Sequence, residues 1–204
     1  MIAFVSLPKP GEKPAVPPNA RIVIAACLVL GLAWAVGLGC GSEQKPVSKK
    51  AAEFRTRAMS LLGSAKKRLG PLVTQDKQDQ LSQAMRELYK DSVANNQALP
   101  CGVGVIDGNG KALMGAFPDP KAEGGLMVVA GGKDYSQYDK VKQAIKARGN
   151  AHFTLYTSDG AVYMICSPLG ENGRFGAICL AFFEGTLRDE LGVSNEDFAS
   201  LNFN

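Results

Sequence analysis

Between residues 22 and 38 the chain runs through seventeen residues, IVIAACLVLGLAWAVGL, without one charged side chain. A stretch of this kind has to leave water. Its length lies at the short end of the roughly 17–25 residues that span a bilayer. It is apolar on every side, whereas a helix at the surface of a soluble core keeps a polar face. Residues 22–39 are therefore expected to form a transmembrane anchor or signal segment. The leader before it, residues 1–21, carries five prolines (Pro8, Pro10, Pro14, Pro17 and Pro18) and reads as a disordered cytoplasmic tail. The polar, aperiodic stretch 41–50, GSEQKPVSKK, reads as a tether.

Charge does not decide the orientation, since Lys9, Lys13 and Arg21 precede the segment while Lys45, Lys49 and Lys50 follow it. The order of a basic start, an apolar middle and small residues before Cys40 is that of an export signal, which places everything after residue 40 outside the cytoplasm. Cys40, followed by Gly41, Ser42 and Glu43, resembles the cleavage site of bacterial lipoproteins, which implies a lipid on its sulfur. In those proteins leucine typically stands three residues before the cysteine; here it is Gly37. Two fates follow: a lipidated Cys40 or an uncleaved helical anchor.

The remaining length suits one domain, 51–204, with one core. Its charge is mixed, 23 basic against 19 acidic residues in the whole chain, and no basic face is concentrated enough to propose nucleic acid as a partner. One histidine, His152, and no CxxC motif leave little material for a metal or redox site. No metal and no cofactor are expected. Catalytic signatures are missing as well: there is no HExxH and no phosphate-cradling glycine loop, and Gly102-Val-Gly104 opens no helix. The chain reads as a non-enzyme.

Periodicity places the elements. Phe54, Ala58, Leu61, Leu62, Ala65 and Leu69 recur at helical spacing, and Gly70-Pro71 is expected to end that helix. Lys66, Lys67 and Arg68 read as its solvated face, the alternative being a contact for anionic headgroups. A second helix over about 75–93 buries Leu81, Met85 and Leu88 and exits at Asn95-Asn96. From Cys101 the pattern turns to strands, with a hairpin at Asp107-Gly108-Asn109-Gly110, a strand over 126–130, and a short helix over 135–147 that Gly149 caps.

Asp159-Gly160 reads as a two-residue turn, which pairs Tyr156 with Tyr163, Thr154 with Ile165 and His152 with Ser167 on one sheet face. The other face carries Phe153, Leu155, Val162, Met164 and Cys166 and is expected to pack against the long helices. A last strand, 175–183, adds Cys179 to that apolar face. Cys166 and Cys179 then stand opposite or one diagonal step apart, either as a disulfide or as two reduced core thiols.

Two long helices, the hairpin GVGVIDGNGKALMG (102–115), Phe117-Pro118, the strand YMICSPL (163–169) and the closing GAICL (176–180) together resemble the PAS-like Cache sensor domains that bacteria place outside the membrane. The resemblance implies an α+β fold with a central antiparallel sheet. It also implies a small-molecule cavity on the sheet face away from the long helices, bounded by the connection from the first hairpin to the third strand. The register puts Tyr156, Tyr163, Thr154 and His152 at that site, with Tyr135, Lys133 and Arg148 near enough in sequence to meet an anionic ligand. The expected function is a membrane-tethered, sensor-like binding domain that works through a separate signalling protein. The alternative is a scaffold of roadblock or profilin-like shape, dimerising through its long helices.

Overall fold

A computed structural model describes residues 47–204, residue 159 excepted. The leader, the apolar segment, Cys40 and the first part of the tether lie outside the described residues. Among the described residues no helix is long and apolar enough to cross a membrane.

Helix α1 (Lys49–Thr74) starts two residues before the expected 51, because Ser48 caps it: Ser48 Oγ accepts from Ala51 N at 3.1 Å. The stripe from Phe54 to Leu69 is buried as its spacing predicts. Gly70-Pro71 does not end the helix. Pro71 lies inside it, and although proline donates no backbone bond, its own carbonyl accepts from Gln75 N at 3.1 Å, so one more turn closes and buries Val73. The reversal comes at Asp76, in the left-handed region at φ 55°. Helix α2 (Leu81–Ala94) therefore begins later than the expected 75, after a single 3₁₀ turn at Gln78–Gln80.

Six strands, β1 (Gly102–Ile106), β2 (Ala112–Pro118), β3 (Leu126–Ala130), β4 (Ala151–Thr157), β5 (Gly160–Pro168) and β6 (Ala177–Phe183), form one sheet in the order β3-β2-β1-β6-β5-β4. Every pairing is antiparallel. The first hairpin turns where the sequence predicts it, with Asp107 Oδ1 accepting from Asn109 N and Lys111 N, each at 2.9 Å.

The β4–β5 register differs from the expected one. Thr157 pairs with Gly160, so Tyr156 faces Ala161, Thr154 faces Tyr163 and His152 faces Ile165. Gly160 is the first residue of β5 and not a turn residue, which moves every pair by two. A shift of two leaves each side chain on its face, so face membership survives while the partners change. On β6, Cys179 stands directly opposite Cys166, and the two form a disulfide with their Cα atoms 4.1 Å apart.

The larger correction concerns which face the helices cover. Helix α1 lies over β5 and β6, and α2 over β2 and β3. They bury Tyr163, Ile165, Ile178, Leu180 and Phe182, the face expected to hold a ligand. The face of Leu155 and Cys166, expected beneath the long helices, instead meets α3 (Asp139–Ile145) through Val141, Ala144 and Ile145. Side-chain volume on β6 favours this choice: Ile178, Leu180 and Phe182 offer the long helices more apolar surface than Ala177, Cys179 and Ala181 on the opposite face, at about 1.5–3 kcal/mol for each large side chain fully buried.

Helix α3 is shorter than the expected 135–147, and Gly149 does not cap it in a left-handed conformation. A Cβ on Gly149 would stand 2.5 Å from Asn204 Oδ1, so glycine there admits the end of the chain. After a π-helical turn at Thr186–Glu190, helix α4 (Asn195–Ser200) opens with a capping box between Ser194 and Asp197. It lays Phe198, and beyond it Leu201 and Phe203, into the core beside Phe54 and Phe182.

Candidate functional site

Strand β1, GVGVI, alternates glycine and valine. Val105 points into the core beneath the long helices, whereas Gly102 and Gly104 fall on the opposite face. Gly104 pairs with Gly115 on β2 and with Cys179 on β6, and Gly102 pairs with Ala181. The middle of that face is thus paved with residues that have little or no side chain. Glycine in a strand interior weakens it and leaves room for a close approach. Phe117 fills part of the room: a Cβ on Gly102 would stand 2.4 Å from its ring, and one on Gly115 3.1 Å from it. Above Gly104 nothing does. A Cβ there would have Met114 O, at 3.9 Å, as its nearest neighbour.

The result is a cavity of ≈ 320 Å³ on the sheet face away from the long helices, a volume in the range of small-molecule sites. Leu155, Val162 and Met164 wall it on one side and Phe117 and Val129 on the other, with Phe183 at one end. Residues 131–135, the connection from β3 to α3, close the remaining border. The connection from β2 to β3, expected as the boundary, instead runs on the α2 side, where Gly125 lies near the Tyr89 hydroxyl.

That bordering connection is stitched to the first hairpin. Tyr135 N donates to Gly110 O at 3.0 Å and Ala112 N donates to Lys133 O at 3.2 Å, which pairs the backbones of Lys111 and Asp134 as an isolated antiparallel β-bridge. The Asp134 carboxylate accepts from Ser136 N at 2.8 Å. Hydrogen bonds from Ser136, with a smaller contribution from the Lys111 charge, hold its carboxyl below the usual range. The polar residues on the lining are Lys133, Tyr135 and Thr157, and among the described lining residues Lys133 alone is charged.

Of the site residues expected from sequence, Tyr135 lines this cavity, as does the neighbouring Lys133. The others lie elsewhere. Tyr163 is 2% exposed, its ring edge-on to Phe198 at 5.1 Å, and burial raises its hydroxyl pKa, with Glu184 adding to the effect. The His152 ring packs against Phe198 and Phe203 at 5.5 and 5.1 Å. Thr154 is half-buried, its carbonyl accepting from Lys140 Nζ at 3.2 Å. Tyr156 is 77% exposed, and Arg148 lies on an exposed turn before β4. His152 and Thr154 line a separate, open surface cavity with Lys140 and Phe198, but the five are not brought together in one place, because α1 and the aromatic residues of the C-terminal segment fill the face around Tyr163. Cys166 and Cys179 are joined to each other, and Cys179 forms part of the cavity floor.

Sequence reading missed Gly102, Gly104, Gly115 and Phe117. The signal was present: glycines two apart on one strand, facing a glycine on the next, leave a gap in any sheet face that alternation alone describes as apolar.

No protein-family model and no curated protein sequence matches the chain. Solved structures do. The ligand-binding domain of the Campylobacter jejuni chemoreceptor Tlp3 with L-valine aligns at a TM-score of 0.51 and 13% identity, over 88% of this chain and 69% of that domain. The same receptor's domain with L-norvaline gives 0.50 and 13%, over 88% and 68%, and its sensory domain without a named ligand gives 0.51 and 14%, over 85% and 67%. In another Tlp3 alignment the chain spans 55% of the domain's length. The chain thus shares the fold of these domains, a PAS/Cache-like α+β arrangement.

Proposed function

We propose that the chain is a small-molecule-binding, sensor-like domain held outside the cytoplasm by residues 22–39 or by a lipid on Cys40, and that it acts through a separate signalling protein. One observation carries this reading: the ≈ 320 Å³ hollow above Gly104, walled by apolar side chains and bordered by Lys133, Tyr135 and Thr157. Two facts support it. Tlp3 domains of the same fold hold L-valine and L-norvaline, ligands on the scale of such a cavity. The Cys166–Cys179 disulfide belongs to oxidising compartments, which are found beyond the cytoplasmic membrane.

A thermal-shift screen over amino acids, short carboxylates, amines and purines tests the reading, run in parallel on the full chain and on Gly104→Leu. A ligand at a hundred times its dissociation constant adds about 2.7 kcal/mol of stability. Leucine at Gly104 extends into the hollow without meeting the sheet, so it abolishes the shift while the variant stays folded. A shift that persists in Gly104→Leu places binding elsewhere and defeats the proposal.

A further inference from the structure

Among the described lining residues of the cavity Lys133 is charged and none is acidic. Gly104, Gly115 and Ala181 pave its floor, and hydrocarbon walls rise on both sides. Lys133, in the β3–α3 connection, is exposed and belongs to the lining. The nearest acid in sequence, Asp134, is not on the lining, and its carboxylate accepts from the Ser136 backbone. A charge brought into apolar surroundings needs a partner, or it loses its hydration without return. The lysine ammonium supplies one for an anion. No described lining residue supplies one for an ammonium.

Resting on the reading of this cavity as the ligand site, we propose that it selects a small monocarboxylate with an apolar body, and discriminates against amines and zwitterionic amino acids. The body lies above Gly104 between Phe117 and Met164. The carboxylate points outward to Lys133, with the Tyr135 side chain at the same border. An α-amino group on the same molecule would be carried in beside the carboxylate and left without an acidic partner.

Four molecules that share a six-carbon body test this: hexanoate, 1-hexanol, hexylamine and L-norleucine. Equilibrium dialysis of the full chain in lipid nanodiscs measures each, and the same measurement on Gly104→Leu subtracts partition into the bilayer. Hexanoate is expected to bind most tightly, hexanol more weakly, and hexylamine and norleucine about tenfold more weakly than hexanoate. Lys133→Met should lower hexanoate affinity about fivefold, the scale of an exposed ion pair, and leave hexanol unchanged. If norleucine or hexylamine binds as tightly as hexanoate and Gly104→Leu removes that binding, the ligand class is wrong and the site is right. If hexanoate binding ignores Lys133→Met, the assignment of the carboxylate to Lys133 is overturned. If none of the four binds, the proposal fails, while the broader screen still decides whether the cavity is a ligand site.

Discussion

The ring of Phe117 occupies the space that a side chain on Gly102 would need, and a Cβ at Gly102 would stand 2.4 Å from Phe117 Cε1. Two residues along the same strand, Gly104 has open space on the same face. Alanine substitutions should therefore separate the two glycines. Gly102→Ala must displace the ring and is expected to cost about 1–2 kcal/mol as an overpacked contact. Gly104→Ala meets nothing closer than 3.9 Å and should be neutral or stabilising by about 0.5 kcal/mol, since alanine restricts the unfolded chain more than glycine does. Urea denaturation of both variants checks the order; equal costs would mean that Phe117 does not cover Gly102.

Tyr163 and Phe198 should behave as core residues and not as ligand contacts. Phe198 lies against Tyr163, His152 and Phe203, with ring centroids 5.1 to 5.7 Å away. Phe198→Ala should cost about 3–5 kcal/mol, the usual range for a buried phenylalanine. Tyr163→Ala should likewise lower the melting temperature, with ligand affinity per folded molecule unchanged. A Tyr163→Ala protein of wild-type stability that no longer binds would return the site to the helix-covered face.

That pair also shows what the sequence could and could not convey. Alternation along β4 and β5 assigned Tyr163 and Leu155 to opposite faces, and the two-residue register error did not disturb it, because strand faces repeat every two residues. Which face the long helices would cover was not legible there, since both faces are largely apolar and the side-chain volume that favours one of them lies on β6. Helix α1 was legible from Phe54 to Leu69 because its contacts follow one local period, but its end was not, because Pro71 is tolerated where Val73 gains burial. No strand alternation or long helical stripe in the sequence places the segment after residue 184. Its capping box at Ser194 and Asp197, followed by Phe198, Leu201 and Phe203, was the available sign that it returns to the core.

Cys101 ties stability to alkaline pH. Burial pushes its thiol up to about 12 from an ordinary value of 9.0. Above about pH 9 the unfolded chain gives up this proton and the folded chain keeps it, so folding stability falls with rising pH by up to about 1.4 kcal/mol per unit. Below that range the group contributes no slope. Comparing urea midpoints at about pH 8 and about pH 10.5 should show a larger loss in wild type than in Cys101→Ala. The Tyr163 hydroxyl, raised by burial in the same direction, is present in both proteins and cancels in the comparison.

The Cys166–Cys179 bridge closes a short loop, with a sequence separation of 13. Removing it with the double substitution to alanine should cost about 3 kcal/mol through the freedom returned to the unfolded chain. A non-reduced digest analysed by mass spectrometry should yield one linked peptide containing both residues. Recovery of the two peptides separately from protein isolated under oxidising conditions would make them reduced core thiols.

The proposed export of the domain rests on residues 22–39 and on the signal-like order that ends at Cys40, and fusion proteins test it directly. An alkaline phosphatase joined after residue 50 requires an oxidising compartment to fold and should be active, whereas β-galactosidase joined at the same point should be silent. The opposite pattern would place the domain in the cytoplasm and remove the expectation of an oxidised Cys166–Cys179 pair along with it. The anchor is decided separately. If Cys40 carries a lipid, a radiolabelled fatty-acid precursor should enter the mature chain and Cys40→Ser should abolish the label, leaving the longer, unprocessed protein. If the wild-type chain is itself full length and unlabelled, residues 22–39 hold it as an uncleaved helix, and Cys40→Ser should leave its membrane association unchanged.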